Sequence, residues 1–379
     1  MPKEYEIFFY FTFLIFSVVF AVILNSLFLK FSKNFGTSTY GPKQERWTEQ
    51  KKPTLGGFSF YIVFLFSISA YSVVFEIDLL NNNYLIGLLL AVSSGFLLGL
   101  ADDAYGTNPF LKFLAQFLCA NILVGTGIYI PLTEFSNINY VFTVFWVIGI
   151  MNSINMIDNM DGIVTSIAIC IIGGTLALLV LENQYDQIYF LILLGVFGTL
   201  LGFLYFNYYP SKMYMGDTGA QFLGIFLSTI AIIFLWQNKG PGGQIIQVRQ
   251  FILPISLFIV PLIDTTTVFV SRIRHGQSPF IGGNDHLTHH LVYLGFSERQ
   301  VMFFLSGITL ISIFLIILLQ EYFAPWQSWH TGLMIGYIFF VFIILQILHR
   351  QGGKANLKKL SKPARKKKES KLRIKKVNK

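Results

Sequence analysis

Four short stretches hold most of the residues of this chain that could do chemistry. They are Leu100-Ala-Asp-Asp103, Asn152-Ser-Ile-Asn-Met-Ile-Asp-Asn-Met-Asp-Gly162, Tyr214-Met-Gly-Asp-Thr-Gly219 and Asp285-His-Leu-Thr-His-His290. A fifth, Lys51-Lys-Pro-Thr-Leu-Gly-Gly57, is cationic and glycine-bearing. Asp102 and Asp103 are adjacent carboxylates, which repel and so require a cation, a proton or water. As a merely solvated helix end they would oppose the macrodipole. Asn152, Asn155 and Asn159 recur at spacings of three and four, a stripe on one helix face, with Asp158 and Asp161 beside it. Such oxygen donors suit Mg²⁺ rather than zinc; the plainer reading is an interhelical hydrogen-bond stripe. Gly216 to Gly219 opens an apolar run. Asp217 or Thr218 could cap that helix, or its outward N–H groups could receive a phosphate. Tyr214 offers a flat face to a base or an interfacial anchor. His286, His289 and His290 follow Arg272, Arg274 and His275. With no cysteine or third placed ligand, this loop reads as a diphosphate clamp rather than a zinc site. Asp264, after Pro261, reads as structural support, with Arg272 as one partner for it.

Apolar helices must position these groups. Of 379 residues, 12% are charged and 54% hydrophobic, with 40 Phe and a mean hydropathy of +0.61. A soluble domain carries about 25% charged residues, so a soluble globular enzyme, a disordered chain and a nucleic-acid-binding domain are excluded. Cys119 and Cys170 sit in apolar runs and form no disulfide framework. The fold class expected is all-α, a polytopic membrane protein. About 20 apolar residues cross a bilayer, and eleven runs qualify: 6–29, 55–75, 84–101, 110–130, 140–156, 162–181, 188–207, 218–236, 250–271, 301–320 and 329–348. The head of the chain is too short and acidic for a signal peptide, so the first run is kept as a span.

Orientation follows from Lys and Arg. With the N-terminus outside, the inner face receives Lys30, Lys33, Lys43, Arg46, Lys51, Lys52, Lys112, Lys212, Arg272, Arg274, Arg299 and the tail; Lys3, Lys239 and Arg249 stay outside. All five motifs then fall on the inner side. Residues 1–348 form the transmembrane catalytic domain. Residues 349–379 carry 14 Lys/Arg and one Glu, a basic cytoplasmic tail expected to be disordered and to adhere to anionic lipid.

Taken in order, these elements resemble the polyprenyl-phosphate N-acetylhexosamine-1-phosphate transferases over about residues 40 to 300. The matching elements are Pro53-Thr-Leu-Gly-Gly57, Asp102-Asp103, Lys112 with Gln116, Asn152-Ser-Ile-Asn155 running into Asp158 and Asp161-Gly162, Gly216-Asp217, Pro261 to Asp264, and the His loop. The resemblance implies transfer of a HexNAc-1-phosphate, GlcNAc-1-phosphate foremost, from a UDP-sugar to undecaprenyl phosphate, with Mg²⁺ or alternatively Mn²⁺. It implies Asp217 and Asn155 as metal ligands, Tyr214 stacking on uracil and Lys112 on the phosphates. Asp102 and Asp103 match an acidic pair assigned to nucleophile or base. Asp158, Asp161, His289 and His290 complete the catalytic set; Lys52, Thr54, Gly57, Asn152, Arg272 and His286 join Tyr214 in binding substrate. The implied setting is a bacterial inner membrane with the site on its cytoplasmic face. The partners implied are the UDP-N-acetylhexosamine, the lipid phosphate and membrane lipid, with a homodimer left open and no nucleic acid. Two features depart from the pattern: Asn159 stands where glycine is usual, and His286-Leu-Thr-His289-His290 replaces three consecutive histidines. The second, with eleven spans rather than ten, points away from the phospho-N-acetylmuramoyl-pentapeptide transferase branch, which stays as the alternative. A secondary transporter is the remote one, disfavoured by the absence of a visible repeat.

Overall fold

The computed structural model describes residues 3–34, 52–75, 81–185, 188–237, 248–278, 283, 285–323 and 326–377, and for 3–5, 33–34 and 359–377 the backbone alone. Lys43, Arg46, Lys51 and Lys239, used in reading the orientation, lie outside these residues. The helices run in the order α1 Lys3–Asn34, α2 Gly56–Phe75, α3 Asn83–Tyr105, α4 Pro109–Gly125, α5 Ser136–Ile157, α6 Ile163–Leu181, α7 Ile188–Asn207, α8 Gly216–Ala231, α9 Val248–Leu257, α10 Ile259–Arg274, α11 Leu287–Tyr293, α12 Glu298–Glu321 and α13 Ser328–Val377. A π-helical turn, Ile232–Trp236, extends α8. Among the described residues nine helices are long and apolar enough to cross a membrane, ten when α9 and α10 count as one bent span. The chain is an all-α, multi-pass membrane protein.

Two of the eleven expected spans take other forms. The ninth, 250–271, is not continuous: α9 and α10 meet at an angle of 79°. Pro254 lies inside α9, and Pro261 lies in the first turn of α10, where its missing N–H forfeits no helical bond. The fourth, 110–130, stops at Gly125, and its 17 residues extend about 26 Å at 1.5 Å each. Thr126 closes it, the hydroxyl bonding the carbonyls of Ile122 and Leu123. A count of spans therefore does not separate the two branches of the resembled family. The basic segment differs as well: α13 continues through it as helix to Val377, in keeping with the helix propensity of its Lys, Arg, Ala and Leu.

Burial within the protein ranks the helices. In the Gly216–Trp236 span, 89% of the most apolar window is buried, against 22% for α1 and 17% for α13. Thus α8 is the hub and α1 and α13 lie outside. It packs on α2, α3, α5 and α6. Two glycines let the neighbours come close. A Cβ on Gly57 would sit 2.4 Å from the Gly219 amide nitrogen, and one on Gly99 2.3 Å from the Asp217 carbonyl oxygen. The first turn of α8 is thereby wedged between α2 and α3. Polar caps set the neighbouring ends. Asn108 accepts from the Phe110 and Leu111 amides ahead of Pro109, starting α4 close behind the end of α3.

Candidate active site

The end of α3, the start of α4, the end of α5 and the start of α8 meet at one end of the bundle. Lys112, one turn into α4, donates to Asp102 Oδ2 and, at 3.3 Å, to Asn155 Oδ1, and its Nζ lies 4.0 Å from Asp217 Oδ1. Asn155 Nδ2 in turn donates to Asp217 Oδ1 at 2.5 Å. Four sequence-distant groups thus share one polar cluster, with Lys112 at its centre. Asp102 also accepts from the Thr107 amide at 2.8 Å and hydroxyl at 2.6 Å. Beneath the cluster, Gln116 exchanges hydrogen bonds with Asn152 and donates to Gln221 at 3.2 Å. This amide group joins α4, α5 and α8.

Asp102 and Asp103 do not act as a pair. Residues i and i+1 of a helix point about 100° apart, and each has its own partners. Asp103 reaches across to α8, its Oδ1 accepting from the Asp217 amide at 3.0 Å and its Oδ2 from the Thr218 amide at 2.9 Å and hydroxyl at 2.6 Å. It is the cap of α8, supplied by another helix, and a carboxylate there suits the positive helix end. This corrects two expectations: those N–H groups already hold an anion and are not an open phosphate cradle, and neither Asp217 nor Thr218 is the cap. Asp103, expected among the catalytic groups, bonds the backbone of α8 at Asp217 itself.

The Asn stripe divides. Helix α5 ends at Ile157, so Asn159 belongs to the following turn. Asn152 takes the plainer reading, bonding between helices, while Asn155 faces Lys112 and Asp217. In the turn, Asp161 Oδ2 accepts from the Ser211 amide at 2.8 Å and lies 3.5 Å from Lys52 Nζ; Lys52 also donates to Ser211 Oγ at 3.0 Å. Lys52 is 5.1 Å from the centre of the Tyr214 ring, which is 4% exposed. As the protein stands, the tyrosine is buried under an ammonium and presents no open face to a base. The Tyr214 amide donates to the Pro53 carbonyl at 2.9 Å, and the amides of Gly56 and Gly57 donate to the carbonyls of Tyr214 and Met215. The Pro53–Gly57 segment with Thr54 therefore lies along the approach to α8. Asp158, the residue after α5, is also buried.

The His segment is assembled by acids. Asp264 accepts from His286 Nδ1 at 2.9 Å and from the Leu287 amide at 2.7 Å. Its partner is His286, not Arg272. Arg272 instead holds Asp285 through two bonds of 2.8 and 2.6 Å, and so shapes the loop. Burial would raise the Asp285 carboxyl, but the Arg272 bonds and charge bring it below its usual value. Thr288 donates to Asn159 Oδ1 at 2.8 Å, tying α11 to the turn after α5. His289 is fully buried; burial, then the neighbouring His286, lowers its pKa to about 4, so it is neutral at pH 7. His290, expected in catalysis, faces α13: its Nδ1 donates to the His349 carbonyl at 2.5 Å and its ring stacks on that of His349. It contributes to the interface between α11 and α13.

Sequence reasoning passed over Ser211, Thr107, Gln221 and Asn207. Asn207 Oδ1 accepts from the Gly162 amide and Thr165 hydroxyl, and its Nδ2 donates to the Met213 carbonyl. An amide at the end of an apolar helix was the available signal. Among the described residues no three His, Cys, Asp or Glu side chains gather as a metal cage.

The family model described as Glycosyl transferase family 4 matches residues 85–235. The chain is 29% identical over 329 residues to the probable undecaprenyl-phosphate N-acetylglucosaminyl 1-phosphate transferase of Bacillus subtilis (strain 168), covering 84% of this chain and 85% of that protein. It is 29% identical over 297 residues to the decaprenyl-phosphate N-acetylglucosaminephosphotransferase of Mycolicibacterium smegmatis, covering 71% of each. It is 30% identical over 321 residues to the phospho-N-acetylmuramoyl-pentapeptide-transferase of Bacillus licheniformis, covering 76% of this chain and 92% of that protein.

Proposed function

Since this chain belongs to glycosyl transferase family 4, and is thus a polyprenyl-phosphate sugar-1-phosphate transferase, we propose that it passes N-acetylglucosamine-1-phosphate from UDP-N-acetylglucosamine to undecaprenyl phosphate and releases UMP. The setting is the cytoplasmic face of a bacterial inner membrane, with the N-terminus outside. The observation that carries this is the Lys112 cluster. A lysine and three oxygen-bearing side chains from four helices sit together at one end of an apolar bundle, where a lipid phosphate and a water-soluble nucleotide could both reach.

Phosphoryl transfer needs positioning and charge stabilisation more than covalent help. An oxygen of the lipid phosphate forms the new bond to the β-phosphorus, and the bond from that phosphorus to the bridging oxygen breaks, its electron pair leaving with UMP. A phosphate monoester has a second pKa near 6, so the acceptor is already largely dianionic and needs no base. Lys112 would stabilise the charge on the diphosphate, and Asp102 holds the lysine in place.

The donor set fits Mg²⁺. Asp217 supplies a carboxylate and Asn155 an amide oxygen, and Mg²⁺ usually takes one or two carboxylates together with substrate phosphates and water. Turning the Asn155 amide would bring its oxygen beside Asp217 and give up the bond it accepts from Lys112. When bound, the ion would offset the negative charge of the diphosphate.

The test is a panel of UDP-N-acetylhexosamines and UDP-N-acetylmuramoyl-pentapeptide, each labelled in the sugar, with undecaprenyl phosphate and with or without EDTA. The expected result is label from UDP-N-acetylglucosamine in the organic phase, lost with EDTA, restored by Mg²⁺ and absent in Asp217→Ala. Turnover of the muramoyl-pentapeptide donor alone would move the chain to the other branch, which the 30% identical relative keeps in view.

A further inference from the structure

The end of α10, the middle of α13 and His290 of α11 line a half-open cavity of about 500 Å³ that the proposed reaction does not use. Its polar lining includes Ser271, Arg274, His275, His290, His349 and Arg350, and no carboxylate lines it. Two guanidiniums, Arg274 and Arg350, facing one space make a site for a phosphate; the imidazoles beside them each bond a backbone carbonyl, of Ser271, His349 and Asp285. Arg274 and Arg350 are exposed and free to turn toward it, while His349 is buried.

The same face of α13 indicates where the phosphate comes from. Phe339, Phe342, Gln346, Arg350 and Gly353 follow at spacings of three and four, one stripe down the helix. Its upper part is apolar and open, Phe339 being 62% and Phe342 37% exposed. Arg350 begins the basic part of the chain where the apolar run 329–348 ends. A cationic cavity at the end of an exposed aromatic stripe matches a phosphate that carries acyl chains, the phosphate at headgroup level and the chains along the stripe.

The cavity also touches the His segment. His290 donates to the His349 carbonyl, and the two rings stack 3.8 Å apart. His349 Nε2 donates to the Asp285 carbonyl at 2.9 Å, and Asp285 carries the Arg272 pair. A ligand that holds Arg350 to Arg274 holds α13 to α10, and with it the support of α11. We propose that this cavity binds the headgroup phosphate of an anionic phospholipid, which steadies the His segment from the α13 side.

The test needs no sugar donor, so its failure is distinguishable from failure of the proposed function. The full chain is placed in bilayers of phosphatidylcholine with and without phosphatidylglycerol. Bound lipid is read by native mass spectrometry and segment 286–294 by hydrogen exchange. The wild type is expected to retain one phosphatidylglycerol and to exchange more slowly when it is present. Arg274→Ala/Arg350→Ala is expected to bind it about tenfold more weakly or worse, since two charge-assisted contacts go, and to lose the protection. Arg274→Lys/Arg350→Lys keeps the charge and should keep the lipid, as should Lys366→Ala/Lys367→Ala/Lys368→Ala in the tail. Should the alanine variant misfold, Arg274→Gln/Arg350→Gln replaces it. Equal retention by wild type and cavity variant would overturn the proposal. So would protection of the same size from inorganic phosphate in pure phosphatidylcholine, or release of the lipid by undecaprenyl phosphate, which would make the cavity part of the acceptor site.

Discussion

Asp103→Asn separates a positioning carboxylate from a base. In the wild type the carboxylate accepts two α8 amides, at 3.0 and 2.9 Å, and the Thr218 hydroxyl at 2.6 Å. Asparagine keeps one acceptor oxygen, and its amide nitrogen cannot accept. One N–H in the first turn of α8 is left unmet, at about 1–3 kcal/mol. Loss of the negative charge at the helix N-terminus adds about 0.3–1 kcal/mol. The two together come to roughly 1–4 kcal/mol. At 1.36 kcal/mol per decade, expressed wholly as misplacement of Asp217, this lowers kcat by about ten- to a thousandfold. The assay is labelled sugar recovered in the organic phase between pH 6 and pH 9, with thermal unfolding of the same preparations in detergent. The expected result is a loss of rate equal at all pH values, accompanied by a lower unfolding temperature and a greater Mg²⁺ requirement. Unchanged thermal stability together with a rate that climbs about tenfold per pH unit above pH 8 would refute the capping account and restore Asp103 as a base.

Three further outcomes follow from the geometry. Lys112→Ala strips buried Asp102 of its cation, so unfolding should become easier by about 3–5 kcal/mol while kcat falls more than a hundredfold; Lys112→Arg should regain stability but little rate. Gly99→Ala places a methyl 2.3 Å from the Asp217 carbonyl oxygen, a backbone atom that cannot swing away; a cost of about 1–3 kcal/mol should appear in thermal unfolding, with kcat reduced and KM little changed. His289 has its pKa lowered from 6.5 to about 4, so on acidification the unfolded chain takes up the proton first. Stability should therefore decline from about pH 6.5 to pH 4, by about 3 kcal/mol, and His289→Gln should flatten that part of the profile.

Much of the framework is legible in hydropathy. Each apolar run corresponds to a helix or a bent pair, because length and apolarity alone decide what can lie in a bilayer. The join at Phe258 is not visible this way, since both arms are apolar and proline is tolerated in membrane helices. The convergence of Lys112, Asn155 and Asp217 follows from motif order and from the ends of the runs they occupy. What sequence does not show is which way each polar group turns. Asp102 and Asp103 look like a pair on paper, but a helix sends them to different neighbours. Arg272 could have met Asp264, Asp285 or a substrate, and only packing decides that Asp264 goes to His286. Gln221 sits in the middle of an apolar helix and shows no purpose until Gln116 arrives from α4.

The arrangement around Lys112 also sets how a guest is received. The ammonium spends its hydrogens on Asp102 and Asn155 and lies beside Asp217, so it is no bare charge in a low-dielectric hollow. An arriving phosphate oxygen would take over one of these donors while the displaced amide turns to a new neighbour. Entry would then be an exchange of partners around Lys112, with Asn155 among those exchanged.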